Sequence, residues 1–165
     1  MGSSGEPASA PPVLPRGRRD KAGGSRVLFV GAFERQLDDK GRLALPANFR
    51  NRLGEHVYLA KGRGKSVSVV PAATFEADAA ELRIREKNGE ISLNALRALA
   101  ASASFVTLDK QGRVGIDEQL RLYADLVPNS TVTVAGGFDR LEIWTPERYS
   151  RITGSGSDEV AGDDE

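Results

Sequence analysis

Two short stretches of this chain carry residue types that could do chemistry. Asp38-Asp39-Lys40-Gly41-Arg42 is followed, 71 residues on, by Asp109-Lys110-Gln111-Gly112-Arg113. In each, an Asp stands four residues before an Arg, and a Gly stands directly before that Arg. The chemistry this suits is anion recognition. Gly lets the backbone turn sharply and approach another surface closely. The Asp can accept from loop N–H groups or from the guanidinium and so hold it in place. The guanidinium fork matches phosphate oxygens or the O6 and N7 acceptors of guanine. Arg42 and Arg113 are therefore the candidate binding side chains, and Lys40 and Lys110 add charge. Asp38, Gly41, Asp109 and Gly112 are the candidates for shaping the loops. The same spacing also describes an Asp–Arg pair that only stiffens a turn. A duplicated fold would duplicate such a turn, so spacing leaves both readings open.

Other chemistry finds little support. The chain has no cysteine, which excludes disulfides and a thiolate metal site, and its one histidine, His56, makes a zinc site or a Ser-His-Asp arrangement a poor fit. Gly62-Arg63-Gly64-Lys65 lacks the spacing and the following Ser or Thr of a phosphate-binding P-loop and reads as a hairpin turn. His56 reads as a solvated or hydrogen-bonded residue, and Trp144 as a core or interface residue. The carboxylate pairs Asp38/Asp39 and Asp163/Asp164 lie in a turn and a tail. The expectation is no enzyme, no metal, no cofactor and no small-molecule substrate.

The repetition extends beyond the loops. Leu43, Leu45, Phe49 and Arg50 are answered by Val114, Ile116, Leu120 and Arg121, and Val67, Val69 and Phe75 by Leu141, Ile143 and Tyr149 at an offset of 74. An internal repeat of this kind dictates architecture before any single residue is weighed. Each copy reads as strand, turn, strand, short helix, hairpin and helix. The first strand spans Val27–Leu37 with Gly31 marking a place to bend. Pro46 suits the first turn of a short helix carrying Phe49 and Leu53. Asp117 begins its counterpart, through Tyr123. Between the copies the period changes to helical from Ala72 to Lys87 and again from Ser92 to Ala101, with Ser92 as N-cap. Short strands joined by tight turns and repeated twice suggest a small closed or interleaved barrel. Half the chain would be marginal alone, so the two copies are expected to share a core.

Net charge is zero, but its distribution is uneven. Residues 26–152 hold 19 Lys and Arg against 16 Asp and Glu, while residues 153–165 hold five acidic residues and no basic one. A mildly basic body with an acidic tail is a weak argument for an anion-binding module, so the position of charge has to carry it. Residues 1–26 and 153–165 are too poor in large apolar groups to offset the entropy of ordering and read as disordered. The division that follows is a first repeat over 27–86, a connecting helix over 87–102 and a second repeat over 103–152. No apolar stretch approaches a membrane span, and no signal-peptide pattern opens the chain, so a cytoplasmic protein is expected.

The run Asp38-Asp39-Lys40-Gly41-Arg42-Leu43-Ala44-Leu45-Pro46-Ala47-Asn48-Phe49-Arg50, the second Asp109-x-x-Gly112-Arg113, and Leu141-Glu142-Ile143-Trp144 resemble the MraZ family. These are bacterial proteins carrying two Asp-x-x-x-Arg motifs on a duplicated domain related to AbrB-type regulators. The resemblance covers roughly residues 27–152. It implies an α+β fold, a duplicated AbrB-like swapped-hairpin β-barrel with short helices and a pseudo-two-fold within the chain. It implies a ring-shaped homo-oligomer, nucleoid-associated, that binds double-stranded DNA at tandem repeats in the promoter of its own operon. There it would regulate, as a repressor, the division and cell-wall gene cluster. The family's loop basic residues fall on Lys40, Arg42 and Arg113. The second copy has Gln111 where the first has Lys40, so Lys110 is displaced by one position. It also has Asp117 where a proline is common. A reading of a different class is an oligomeric scaffold in which the Asp–Arg loops close contacts between copies and no DNA is bound.

Overall fold

The computed structural model describes residues 28–162. The expected disorder of residues 1–26, the strand start at Val27 and the last three acidic residues lie outside this range. The first half of the chain forms β1 (Ala32–Gln36), β2 (Arg42–Ala44), α1 (Ala47–Leu53), β3 (His56–Gly62), β4 (Ser66–Pro71) and α2 (Ala72–Lys87). After α3 (Leu93–Ser102), the second half repeats the order with β5 (Ser104–Thr107), β6 (Arg113–Gly115), α4 (Glu118–Ala124), β7 (Thr131–Gly136), β8 (Leu141–Trp144) and α5 (Pro146–Ala161). The fold is α+β, and its strand pairing is antiparallel throughout the named strands.

Six strands make one sheet in the order β1-β7-β8-β4-β3-β5, and β2 pairs with β6 in a separate ribbon. Exchanging the two halves turns the sheet order onto itself, which is the pseudo-two-fold expressed in hydrogen bonds. The outer strands are exchanged between halves. β1 pairs with β7, with Ala32 opposite Ala135, and β5 pairs with β3, with Thr107 opposite His56. Each half thus completes the hairpin of the other, and neither half has a sheet of its own.

The sheet does not close into a barrel. Its order ends at β1 and β5, and these strands meet the ribbon only through tight turns. The Leu37–Leu43 bridge and the bonds Asp38 N–H to Arg42 O (2.9 Å) and Asp109 N–H to Arg113 O (3.2 Å) are turn contacts, too few to continue a ladder. The first strand also differs from its expected length. Gly31 takes φ +96°, a conformation that interrupts the pleat, so Phe29 forms an isolated bridge with Phe138 and regular pairing begins at Ala32.

The period-two pattern of the hairpins explains where the core lies. Val57 and Leu59 of β3, Val67 and Val69 of β4, Val132 and Val134 of β7, and Leu141 and Ile143 of β8 all point to one face and are fully buried or nearly so. The ribbon's Leu43 and Val114, with Phe49 of α1 and Leu120 of α4, cover that face. Phe49 meets Phe29 and Phe33 edge-on, with centroids 6.0 and 5.4 Å apart. A second cluster of Ala60, Val70, Leu82 and Leu99 lies under α2 and α3 on the other face. A buried ion pair ties α2 to the β7–β8 turn. Arg140 Nη2 donates to Asp78 Oδ2 at 2.7 Å, and Arg140 Nε donates to Asp139 Oδ1 at 2.9 Å.

The helix at the chain's end departs from expectation. Disorder is expected from residue 153, yet α5 continues to Ala161. Thr145 caps its start by accepting from Arg148 N–H, Pro146 sits in the first turn, and Gly162 ends it in the left-handed conformation. None of its side chains is buried. Composition registers missing apolar burial but not capping, which is why the Gly-Ser and acidic stretch reads as unstructured.

Candidate nucleic-acid interface

The two loops make the same hydrogen bonds. Asp38 Oδ1 accepts from the backbone N–H of Lys40 at 2.9 Å and of Arg42 at 2.8 Å, while Oδ2 accepts from Arg42 Nε at 2.9 Å. Asp109 Oδ1 accepts from Gln111 N–H at 2.9 Å and Arg113 N–H at 2.8 Å, and Oδ2 accepts from Arg113 Nε at 2.8 Å. Gly41 and Gly112 both sit at positive φ, +78° and +74°. A short carboxylate is needed because it must reach amides two and four residues on while turning its second oxygen to the guanidinium. The exchange of Asp39-Lys40 for Lys110-Gln111 leaves this pattern intact, since those positions contribute only backbone.

The amides also set the charge of the loop. Arg42's backbone N–H, more than any other group, holds the Asp38 carboxyl below its ordinary pKa, and Arg113's does the same for Asp109. Both carboxylates are therefore ionised at neutral pH. Each engages its arginine through Nε alone. Among the described residues, the terminal Nη1 and Nη2 groups of Arg42 and Arg113 make no hydrogen bond. The result is a guanidinium fixed at Nε, with the N–H groups of both terminal nitrogens open for a bidentate acceptor.

The structure brings the two arginines together in a way their spacing does not indicate. β2 and β6 pair with Leu43 opposite Val114, Arg42 opposite Gly115 and Ala44 opposite Arg113. Leu43 and Val114 face the core, so Arg42, Ala44, Arg113 and Gly115 form the outward face. Arg42 and Arg113 are diagonal neighbours there, with Cα atoms about 7–8 Å apart on ladder geometry. Each faces a small residue across the ribbon, and the stem of Arg42 lies over Gly115. The two loops are one surface. Lys40 and Lys110 are exposed at its two ends and make no ion pair among the described residues.

Two stretches of the chain, residues 28–94 and 99–161, each match the family described as "MraZ protein, putative antitoxin-like". The chain belongs to the MraZ family. It is 37% identical over 139 residues to "Transcriptional regulator MraZ" of Corynebacterium jeikeium, spanning 84% of this chain and 96% of that protein. The like-named protein of Mycolicibacterium gilvum is 38% identical over 144 residues, spanning 82% and 99%, and that of Roseiflexus sp. 35% over 125 residues, spanning 76% and 86%.

Two further arginines, marked in the sequence only by their recurrence, border this MraZ-family surface. Arg50 Nη1 donates to Gln111 O at 3.0 Å, and Arg121 Nη1 donates to Ile116 O. Their recurrence at an offset of 71 was the signal, but recurrence alone did not say what they touch. Asp117, the counterpart of Pro46 in the second copy, caps α4 by accepting from Leu120 N–H at 3.0 Å, a role that Pro46 cannot take in α1. The other sequence candidates lie elsewhere. His56 is exposed, with Nδ1 3.1 Å from Thr107 Oγ1, and its ring stacks on Phe105. Trp144 is buried, and Gly62–Lys65 is a hairpin turn. Among the described residues no group of three His, Cys, Asp or Glu could hold a metal, and no helix is long and apolar enough to cross a membrane.

Proposed function

We propose that this chain is a sequence-specific DNA-binding regulator of transcription that reads DNA with the outward face of the β2–β6 ribbon. One observation carries the reading. Arg42 and Arg113 lie side by side on a solvent-facing ribbon, each held at Nε by an ionised Asp with its outer edge unoccupied. A two-stranded ribbon is a shape that the major groove admits, and an Arg fork is the commonest specific partner of guanine. The names of the relatives support the same reading. In the proposed mechanism Arg42 and Arg113 contact base edges or phosphates, Lys40 and Lys110 contact flanking phosphates, and Asp38 and Asp109 set the aim of the two guanidinia.

We place this face in a ring-shaped homo-oligomer of duplicated chains that exchange strands between their two halves. There the faces of successive protomers meet tandem repeats in the promoter of the chain's own operon and repress the division and cell-wall gene cluster. One face makes a weak contact, and linkage raises the effective concentration for each later one. The competing scaffold reading needs these loops to be buried between copies. The test is a titration of the purified protein against a fluorescent duplex carrying its own upstream region, with scrambled DNA as control, at two salt concentrations. Preference for the upstream duplex with affinity falling steeply in salt is the expected result. Equal binding to both duplexes by an oligomeric protein would replace this reading with the scaffold.

A further inference from the structure

The geometry points to Arg50 and Arg121 as positioning residues that lock the two Asp–Arg loops into one DNA-reading unit, each closing over the glycine of the other half's loop. This rests on the DNA-binding reading above. Arg50 leaves α1 in the first half and crosses to the second loop. Its Nη1 donates to Gln111 O, and its Cδ occupies the place where a Cβ on Gly112 would sit. Arg121 leaves α4 in the second half and crosses to the first loop. Its Nη1 occupies the place of a Cβ on Gly41 while donating to Ile116 O.

The backbone makes the same exchange. Ile116 N–H donates to Gly41 O at 2.9 Å, and Leu45 N–H donates to Gly112 O at 3.1 Å. Arg121 therefore holds the carbonyl of the residue whose N–H holds the first loop, and Arg50 grips the second loop directly. Each arginine follows a fully buried neighbour, Phe49 or Leu120, that anchors its helix in the shared core. The requirement for glycine at 41 and 112 gains a second cause beyond positive φ, because a side chain there would expel the crossing arginine. Neither Arg50 nor Arg121 needs to touch DNA. Their effect is to keep Arg42 and Arg113 at one separation and orientation, so that the two guanidinia meet the duplex together.

The test pairs amide hydrogen exchange with duplex titration on the full chain carrying Arg50→Ala or Arg121→Ala. Arg121→Ala should speed exchange of the Lys40, Gly41 and Arg42 amides by about tenfold, the scale of one charge-assisted hydrogen bond. It should leave Gln111 to Arg113 nearly unchanged. Arg50→Ala should show the reverse. Both should lower the preference for the upstream duplex over scrambled DNA by about tenfold while leaving the salt dependence of binding as in the unmodified chain. Arg50→Met keeps an aliphatic stem over Gly112 and Arg121→Met keeps the stem that leaves α4, while both remove the donating head, so they serve if an alanine variant does not fold. Exchange that rises only in the altered half, or equally everywhere, would overturn the proposal. So would a shallower salt dependence with unchanged exchange, which would make these arginines phosphate contacts. If the unmodified chain shows no preference for the upstream duplex, the DNA reading fails. The crossed exchange pattern still decides whether the loops are coupled.

Discussion

Replacing Arg42 or Arg113 by lysine separates charge from geometry. In each loop the Asp takes Nε at 2.8–2.9 Å and leaves the terminal nitrogens for an acceptor outside the protein. Lysine has one ammonium on a flexible stem. It can meet the Asp or reach the DNA, but it cannot present an oriented fork while doing the first. A bidentate Arg–guanine contact is worth about 1–3 kcal/mol of discrimination, so each substitution should reduce preference for the upstream duplex about 5- to 150-fold. The loops lie on one ribbon, so the double substitution should fall short of the product of the two singles. Net charge is unchanged, and binding to scrambled DNA and its salt dependence should therefore stay close to those of the unmodified protein. Competition titrations with fluorescence anisotropy on both duplexes, at two salt concentrations, measure all of these quantities. Lysine variants that keep their preference within twofold would refute the argument, because charge alone would then suffice and the Asp–Nε bonds would be turn-stiffening contacts.

Two further outcomes follow from the same structure. The Asp78–Arg140 pair lies inside the protein, so Arg140→Met should destabilise it by about 3–5 kcal/mol in denaturant unfolding by leaving a buried carboxylate without its guanidinium. Arg140→Met combined with Asp78→Leu should recover much of that loss, and a double variant as unstable as Arg140→Met alone would contradict the reasoning. The carboxylates should also titrate in opposite senses. Asp38 and Asp109 have folded pKa values below the unfolded value near 3.8, so their stabilising effect is complete above that value and is lost as pH falls through the lower folded one. Burial raises Asp78, so its effect runs the other way, declining as pH rises from the unfolded value through the higher folded one. Carboxyl NMR titration should place Asp78 above and the two loop residues below 3.8, and a common midpoint would show that the loop amides do not hold their carboxylates in solution.

What could be read in advance from this chain was local. The Asp-x-x-Gly-Arg turn is complete within five residues, because one carboxylate satisfies two nearby amides and Gly supplies the positive φ. Alternation in Val67-Ser68-Val69 and Thr131-Val132-Thr133-Val134 marks the core-facing hairpins, and Ser92 and Asp117 mark helix starts. Recurrence at offsets of 71 and 74 made the duplication plain. What only the tertiary structure decided was every pairing that crosses between the halves. Strand type does not specify partner, and the register of Arg42 opposite Gly115 depends on a contact 73 residues away along the chain. That crossing turns two loops into one ribbon, brings Arg50 over Gly112 and Arg121 over Gly41, and buries Asp78 against Arg140. The open sheet belongs to the same class, since it depends on whether the turns continue a ladder. The extent of α5 does not, because its caps at Thr145 and Gly162 are local and composition alone does not register them. Turn chemistry is written in neighbouring residues, whereas strand exchange follows from two incomplete halves covering a shared apolar face.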